Sequence, residues 1–170
     1  MPTTFSIKYV TTSIEPTTTS IKLATSTTTI IATTSTNSAA PESTKTPSAP
    51  ADWCTEMLSQ VNAIRAKAGK AALVLDDRMV LMAQKQSDYQ FQIKKMTHDN
   101  VSGALTQRCT QVGVKWWGVA ENVAAGQKDV TSVVTACKNS AGHYTNIIGN
   151  YNIVGFAING IYWTQTFALI

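Results

Sequence analysis

Two histidines and one lone acid are the side chains in this sequence best suited to shared chemistry. His98 follows a helix-like pattern, Glu121 is the one acid in the apolar run from Val114 to Ala125, and His143 follows Gly142 in the stretch N-S-A-G-H-Y-T-N-I. Two imidazoles and a carboxylate are acceptable ligands for a divalent ion such as Zn²⁺. They also suit a hydrogen-bonded polar cluster. Each has a plain structural use besides. His98 can serve as a cation at a helix C-terminus, worth ~0.3–1 kcal/mol. Glu121 can accept backbone N–H groups in a turn, and His143 can be a satisfied boundary residue. Spacing does not choose between these, because no H-E-x-x-H or similar local metal motif is present. The case for a joint role is that the chain places both of its histidines at such boundaries.

Other catalytic arrangements are missing. There is no G-x-S-x-G, so an α/β-hydrolase serine is unsupported. Ser140 stands near His143, but no acid lies nearby in sequence to orient the pair. No glycine-rich phosphate loop is present. Trp116 and Trp117 would serve as a ligand platform, although a tryptophan pair beside glycine is more often packing.

The elements that must position these residues follow from periodicity. Asp52 opens a helical pattern with Met57, Leu58, Val61 and Ile64, closed by Lys67 and Gly69. Asp76 and Asp77 cap a longer helix that carries Met79, Met82, Ala83, Gln86, Tyr89, Ile93 and Met96 on one face and ends near His98. A short helix is expected from Ala104 to Val112, stopped by Gly113. Asp129 caps a fourth, with Val130, Val133, Val134 and Cys137 at helical spacing. Ser140 to Gly149 reads as a turn with about one helical turn. Two strand-like runs, Asn152 to Ile158 and Ile161 to Leu169, flank Asn159-Gly160, which predicts a hairpin with a type I′ turn. Tyr162 and Trp163 are expected in the core. This order gives an α+β layout.

Residues 1–51 differ in kind. Nearly half are Ser or Thr, all five prolines fall here, and glycine, cysteine and tryptophan are absent. Such a stretch cannot bury enough apolar surface to offset its ordering entropy, so a disordered stalk or linker is expected, with residues 52–170 as the folded domain. Ser/Thr with scattered Pro is the composition of an O-glycosylated stalk. With the sequon Asn100-Val101-Ser102 it points to the secretory route, although no apolar signal segment stands at the N-terminus, so an upstream start is expected. A net charge of +4 without a dense basic run argues against nucleic-acid binding. No apolar run is long enough to span a membrane. Three cysteines, Cys54, Cys109 and Cys137, match no metal motif and permit one disulfide, with three pairings open.

Six sequence blocks in order resemble the CAP superfamily, the SCP domain shared by cysteine-rich secretory proteins, antigen 5 and pathogenesis-related proteins. The blocks are Val61-Asn62-Ala63-Ile64-Arg65 with Gly69, Ala83-Gln84-Lys85-Gln86-Ser87, Met96-Thr97-His98, Ala120-Glu121-Asn122-Val123-Ala124 with Gly126, Asn139 through Ile147, and Tyr162 through Phe167. The resemblance covers about residues 54 to 168, in a short form similar to fungal, oomycete and bacterial members. It implies a three-layer α-β-α sandwich and a cleft with two histidines and two acids. His98, Glu121 and His143 match three of these, while the second acid falls near Ser140. The cleft set is therefore His98, Glu121, His143, Ser140 and Tyr144, with His98, Glu121 and His143 as candidate ligands for Zn or another divalent metal that is not required. Two departures are Ala120 for the usual Gly and Cys137 for a common Trp, which removes core volume that neighbours must refill. The resemblance also implies secretion, with binding of a sterol or other lipid expected rather than catalysis. A metal-dependent hydrolase, and an effector or adhesin that meets a cell-wall or host-surface component through a loop, are the alternatives.

Overall fold

The apolar pattern resolves into alternating helices and strands in a computed structural model that describes residues 7–10 and 52–170. In chain order these are β1 (Ile7–Val10), α1 (Asp52–Lys67), β2 (Val74–Leu75), α2 (Asp77–Ile93), α3 (Leu105–Gln111), β3 (Gly118–Ala125), α4 (Val130–Asn139), α5 (Ala141–Ile147), β4 (Ile153–Asn159) and β5 (Tyr162–Leu169). Apart from Ile7–Val10, the expected stalk lies outside the described residues.

The strands form one sheet in the order β1-β3-β5-β4-β2. The central pairs β3–β5 and β5–β4 are antiparallel, and β2 joins β4 in parallel. The β4–β5 hairpin is present, but its turn differs from the expected one. Asn159 pairs with Tyr162, which leaves Gly160 and Ile161 as the loop. Only Gly160 there has positive φ, at +59°, so glycine sits first in the loop as in a type II′ turn. Asn159 stays in the strand, because the asparagine amide is held by Asp88 at 2.7 Å.

Side chains alternate along β5 and so dress two faces. Trp163 and Phe167, with Val154 and Phe156 of β4, pack against Met57 and Val61 of α1, Val133, Val134 and Cys137 of α4, and Ile147 of α5. Ala168 and Ile153 point the other way, to Met79 and Met82 of α2 and Leu105 and Cys109 of α3. Helices on both faces of the sheet make the α-β-α sandwich. Residue 155 must be glycine for this: a Cβ there would run into the Met79 backbone, so α2 lies directly on β4. All four expected core positions of α4 are buried, and Tyr162 and Trp163 are buried as expected.

The buried stripe of α2 departs from expectation. Ser87 and Gln90 are buried, whereas Ile93 is exposed. The helix ends at Ile93, and Lys94 takes the left-handed conformation at φ 53°. The reason is polar packing: Ser87 Oγ and Gln90 Nε2 reach Thr164 Oγ1 at 2.9 and 3.2 Å. Further, Ser140–Gly149 holds a two-turn helix, α5, where one turn was expected.

The expected disulfide is not formed: Cys54, Cys109 and Cys137 are all free and buried. Cys54 and Cys137 belong to one apolar cluster and Cys109 to the other, across the sheet. Burial raises all three thiols, to about 11 at Cys109 and about 12 at Cys137.

Candidate functional site

Strand β3 carries the site. Period-two alternation sends Glu121 and Asn122 to opposite sides. Glu121 is fully buried, and its carboxylate receives Arg108 of α3 in a two-pronged pair, Nη1 to Oε2 at 2.8 Å and Nη2 to Oε1 at 3.1 Å. His98, on the loop after α2, lies with Nδ1 3.0 Å from Oε1. A carboxylate held by a guanidinium only accepts, so Nδ1 carries the hydrogen in this contact. Arg108 and Glu121 are both almost wholly shielded from water.

Gln86 of α2 ties the cluster to its surroundings. Its Nε2 donates to the carbonyl oxygens of Thr97 and Asp99, on either side of His98, at 2.6 and 3.3 Å. Its Oε1 accepts from Arg108 Nη1 and from Asn100 Nδ2, both at 2.9 Å. One side chain thus fixes the His98 loop to the guanidinium that holds Glu121. The amide of the sequon residue Asn100 is engaged in the same network.

On the other side, Asn122 Nδ2 donates to the His143 carbonyl at 3.2 Å and to Gln165 Oε1 at 3.0 Å, and its Oδ1 accepts from Asn146 at 2.8 Å. His143 is completely buried in α5. The structure therefore joins His98 to Glu121 directly. It links His143 to the next residue along β3 through its backbone. Ser140 is the N-cap of α5, without a side-chain cap bond. Tyr144 lines a groove on the α1–α4 surface instead.

The residues do not fit a metal. Both Glu121 oxygens already face the Arg108 guanidinium, and a divalent cation there would meet a fixed positive charge within a few ångströms of low-dielectric interior. Among the described residues no group of three His, Cys, Asp or Glu side chains is placed to hold a metal ion. The built-in guanidinium supplies the positive charge that the buried carboxylate needs.

Arg108 and Gln86 were absent from the sequence-derived site, and for Arg108 a signal was present. Leu105, Arg108, Cys109 and Val112 form one stripe of α3, in which Arg108 is a charge among apolar residues. A cation on such a stripe is buried only with a partner. The same signal marks Arg65 on the Val61 stripe of α1. Its guanidinium donates to the carbonyls of Ala71, Ile147, Gly149 and Tyr151 at 2.7 to 3.0 Å, which fastens the end of α5 to α1.

The site is closed, but a groove lies elsewhere on the same domain. Gln60, Ala63, Ile64 and Lys67 follow one face of α1, and Val134, Thr135 and Lys138 follow α4. With Tyr144 of α5 they enclose about 270 Å³. Gln60 bonds Thr131 across one end at 2.9 Å. Lys67 and Lys138, each seven residues further along its helix, stand toward the other end.

Residues 58–167 match the sequence model of the cysteine-rich secretory protein family, CAP. The uncharacterized protein YkwD of Bacillus subtilis (strain 168) is 30% identical over 130 residues, covering 74% of this chain and 50% of its own length. Among solved structures, an extracellular protein with an SCP domain from Bacillus anthracis (strain Ames) superposes with a TM-score of 0.66 at 23% identity, over 69% of this chain and 40% of its own. An outer surface protein of Borrelia burgdorferi gives 0.63 at 19% identity, over 68% of this chain and 90% of its own. The chain spans half the length of the curated relative it matches. At these identities the structural likeness speaks for the fold alone, and that fold is the expected α-β-α sandwich.

Proposed function

The chain belongs to the cysteine-rich secretory protein (CAP) family, and from that premise we propose that it works outside the cell as a binding module for a small hydrophobic ligand. The observation that carries this reading is the groove between α1 and α4. Its walls are the apolar surfaces of Ala63, Ile64 and Val134, and two lysines stand at one end. This pattern suits an amphiphile with an anionic head, whose tail lies on the apolar walls and whose carboxylate meets Lys67 or Lys138. The groove, at about 270 Å³, is slightly smaller than the common range of ligand pockets, ~300–1,000 Å³. A linear acyl chain lying along two helices fits such a groove better than the rigid rings of a sterol. An extracellular place is supported by relatives named as extracellular and outer surface proteins, and no helix among the described residues is long and apolar enough to cross a membrane.

The test is a titration of the purified chain with a radiolabelled long-chain fatty acid, with a sterol in parallel. Saturable binding at micromolar protein is expected for the acid. Ala63→Trp fills the groove from an exposed position and should abolish it without lowering the melting temperature. Absence of saturable binding to both ligands, or full binding by Ala63→Trp, would remove this reading.

A further inference from the structure

A second groove lies away from α1 and α4, where the start of α2, the loop after α3 and the end of β5 meet. Arg78, Gly113, Lys115, Trp116, Trp117 and Ile170 line it, and it encloses about 840 Å³, open to solvent. Its walls are fixed by short-range bonds. Trp116 Nε1 donates to Thr110 Oγ1 at 3.2 Å, and the Trp117 backbone N–H donates to the Leu169 carbonyl at 2.8 Å. Ile170 is held at both backbone groups by the Asn152 amide, at 3.0 and 3.1 Å. Arg78 reaches the Gly113 carbonyl at 3.3 Å and is oriented by Asp76. Against these pinned walls Trp117 is 53% exposed, and Lys115 is exposed beside it. An exposed indole next to a lysine, on a loop fixed at both ends, is not accounted for by packing, the role expected of the Trp116-Trp117 pair.

We propose that this groove binds an anionic saccharide, with a sugar ring stacked on Trp117 and its carboxylate or sulfate beside Lys115 and Arg78. The π face of an indole is electron-rich. A pyranose ring presents a face of C–H bonds of opposite polarity, which a flat, half-exposed tryptophan matches. Lys115 sets the sign of the ligand as the uncompensated cation, and no acidic side chain lines the groove. Arg78 is paired with Asp76 at 2.6 Å and adds N–H donors at the groove wall rather than net charge. Two cations are too few for a nucleic-acid track, where a protein typically neutralises roughly 6–10 phosphates. The concave shape argues against a membrane surface, which is met by a projecting apolar face. This site shares no residue with the α1–α4 groove, so the two readings stand or fall separately.

The experiment is a calorimetric titration of the full chain with a short oligogalacturonate, with its methyl ester as the uncharged control and Trp emission followed in parallel. Saturable binding to the acid form is expected, with a change in Trp117 emission and weakening as salt rises. Trp117→Ala should weaken binding by roughly 10-fold or more, since it removes the aromatic face on which the sugar stacks. Lys115→Gln should weaken it less and flatten the salt dependence. Both positions are exposed, so the melting temperature should not move, and Ala63→Trp should bind the saccharide normally. The proposal is overturned by absence of binding at millimolar saccharide, by unchanged binding in Trp117→Ala, or by equal affinity for the methyl ester. Tighter binding of single-stranded oligonucleotide or anionic vesicles through the same tryptophan would overturn it too.

Discussion

From β4 and β5, Phe156, Trp163 and Phe167 point into the layer of α1, α4 and α5, while Thr164 and Thr166 point from the same hairpin toward α2. The first face is mainly apolar contact, with Arg65 and the Asn122–Gln165–Asn146 set as its polar ties. The second is held by named bonds: Thr166 Oγ1 to the Met79 carbonyl at 3.0 Å, Thr164 to Ser87 and Gln90, and Gln86 and Arg108 to the loop and strand of the site. Apolar contact is tolerant of small shifts, because it has no direction. A buried hydrogen bond is not, because a donor left without an acceptor costs its full desolvation. The apolar face is thus free to carry a groove between two of its helices, and the polar face fixes Glu121 and His98 in one arrangement.

The sharpest break of that comparison comes from removing one large side chain on each face. Phe167→Ala should destabilise the fold by ~3–5 kcal/mol through lost transfer and the cavity left behind. Arg108→Met should cost a similar ~3–5 kcal/mol for a different reason, since it leaves the buried Glu121 carboxylate without its guanidinium and with only the His98 N–H. Denaturant melts of the single variants will not tell these apart, but second substitutions will. Adding Glu121→Leu to Arg108→Met should recover most of the loss, as the stranded charge is gone. Adding Phe156→Ala to Phe167→Ala should deepen it. If the Arg108 and Glu121 variants simply add, the pair is not the lock described here.

A smaller effect is expected at Gln86. Gln86→Leu keeps the size of the side chain but strips partners from Arg108 and from the Thr97 and Asp99 carbonyls, at ~1–3 kcal/mol. Hydrogen exchange should localise the change to the loop of residues 94–104 and leave α4 protected. An even loss of protection over both faces would show that the two are coupled.

The same comparison explains what was legible in the sequence. Val130, Val133, Val134 and Cys137 mark α4 by spacing alone, because the face they enter is apolar and periodicity reports apolar burial. The stripe of α2 was read wrongly at Ile93, because its true continuation, Ser87 and Gln90, is polar and gives no hydrophobic signal. Glu121 and His98 come together as site candidates through their boundary positions and the CAP resemblance, whereas Arg108, which completes the pair, is one cation among fourteen Lys and Arg. The hairpin turn was misplaced by one residue, since Asn-Gly is a strong local signal and the Asp88 contact that keeps Asn159 in the strand is long-range.

The thiols offer a pH probe of each face. Cys137 lies in α4 and Cys109 in α3, packed with Met79 and Met82 of α2, and burial raises them to about 12 and about 11 from 9.0. A raised folded-state pKa means that the stabilising contribution is complete below pH 9.0. It is lost as pH climbs toward 11 at Cys109 and toward 12 at Cys137. Stability should therefore fall above pH 9.0 with a slope approaching ~1.4 kcal/mol per pH unit for each thiol. Cys137→Ala should remove part of that slope despite its own packing loss. All three thiols should react with a disulfide reagent only after denaturation, and fewer than three would reveal a disulfide.

The smallest difference should appear at the helix starts. Asp76 caps α2 and accepts from the Arg78 and Met79 N–H groups and from the Arg78 side chain, while Asp129 caps α4 and accepts from the N–H and the side chain of Ser132. Both carboxyls are held below 3.8, Asp76 chiefly by the Arg78 side chain and Asp129 by Ser132. A depressed folded-state pKa stabilises fully above 3.8 and loses that contribution as pH falls through the folded value, so both caps weaken in acid. Asp76→Ala should cost ~0.5–2 kcal/mol at neutral pH. Asp76→Asn keeps an oxygen for the backbone and so should lose less at neutral pH. Because asparagine does not titrate, its deficit against wild type should shrink as the acid is lowered below pH 3.8, and the two melting curves should converge. The matching change at Asp129, with one backbone partner and no arginine, should give the smaller neutral-pH deficit. If the two aspartates give equal deficits, the Arg78 fork adds nothing to the cap.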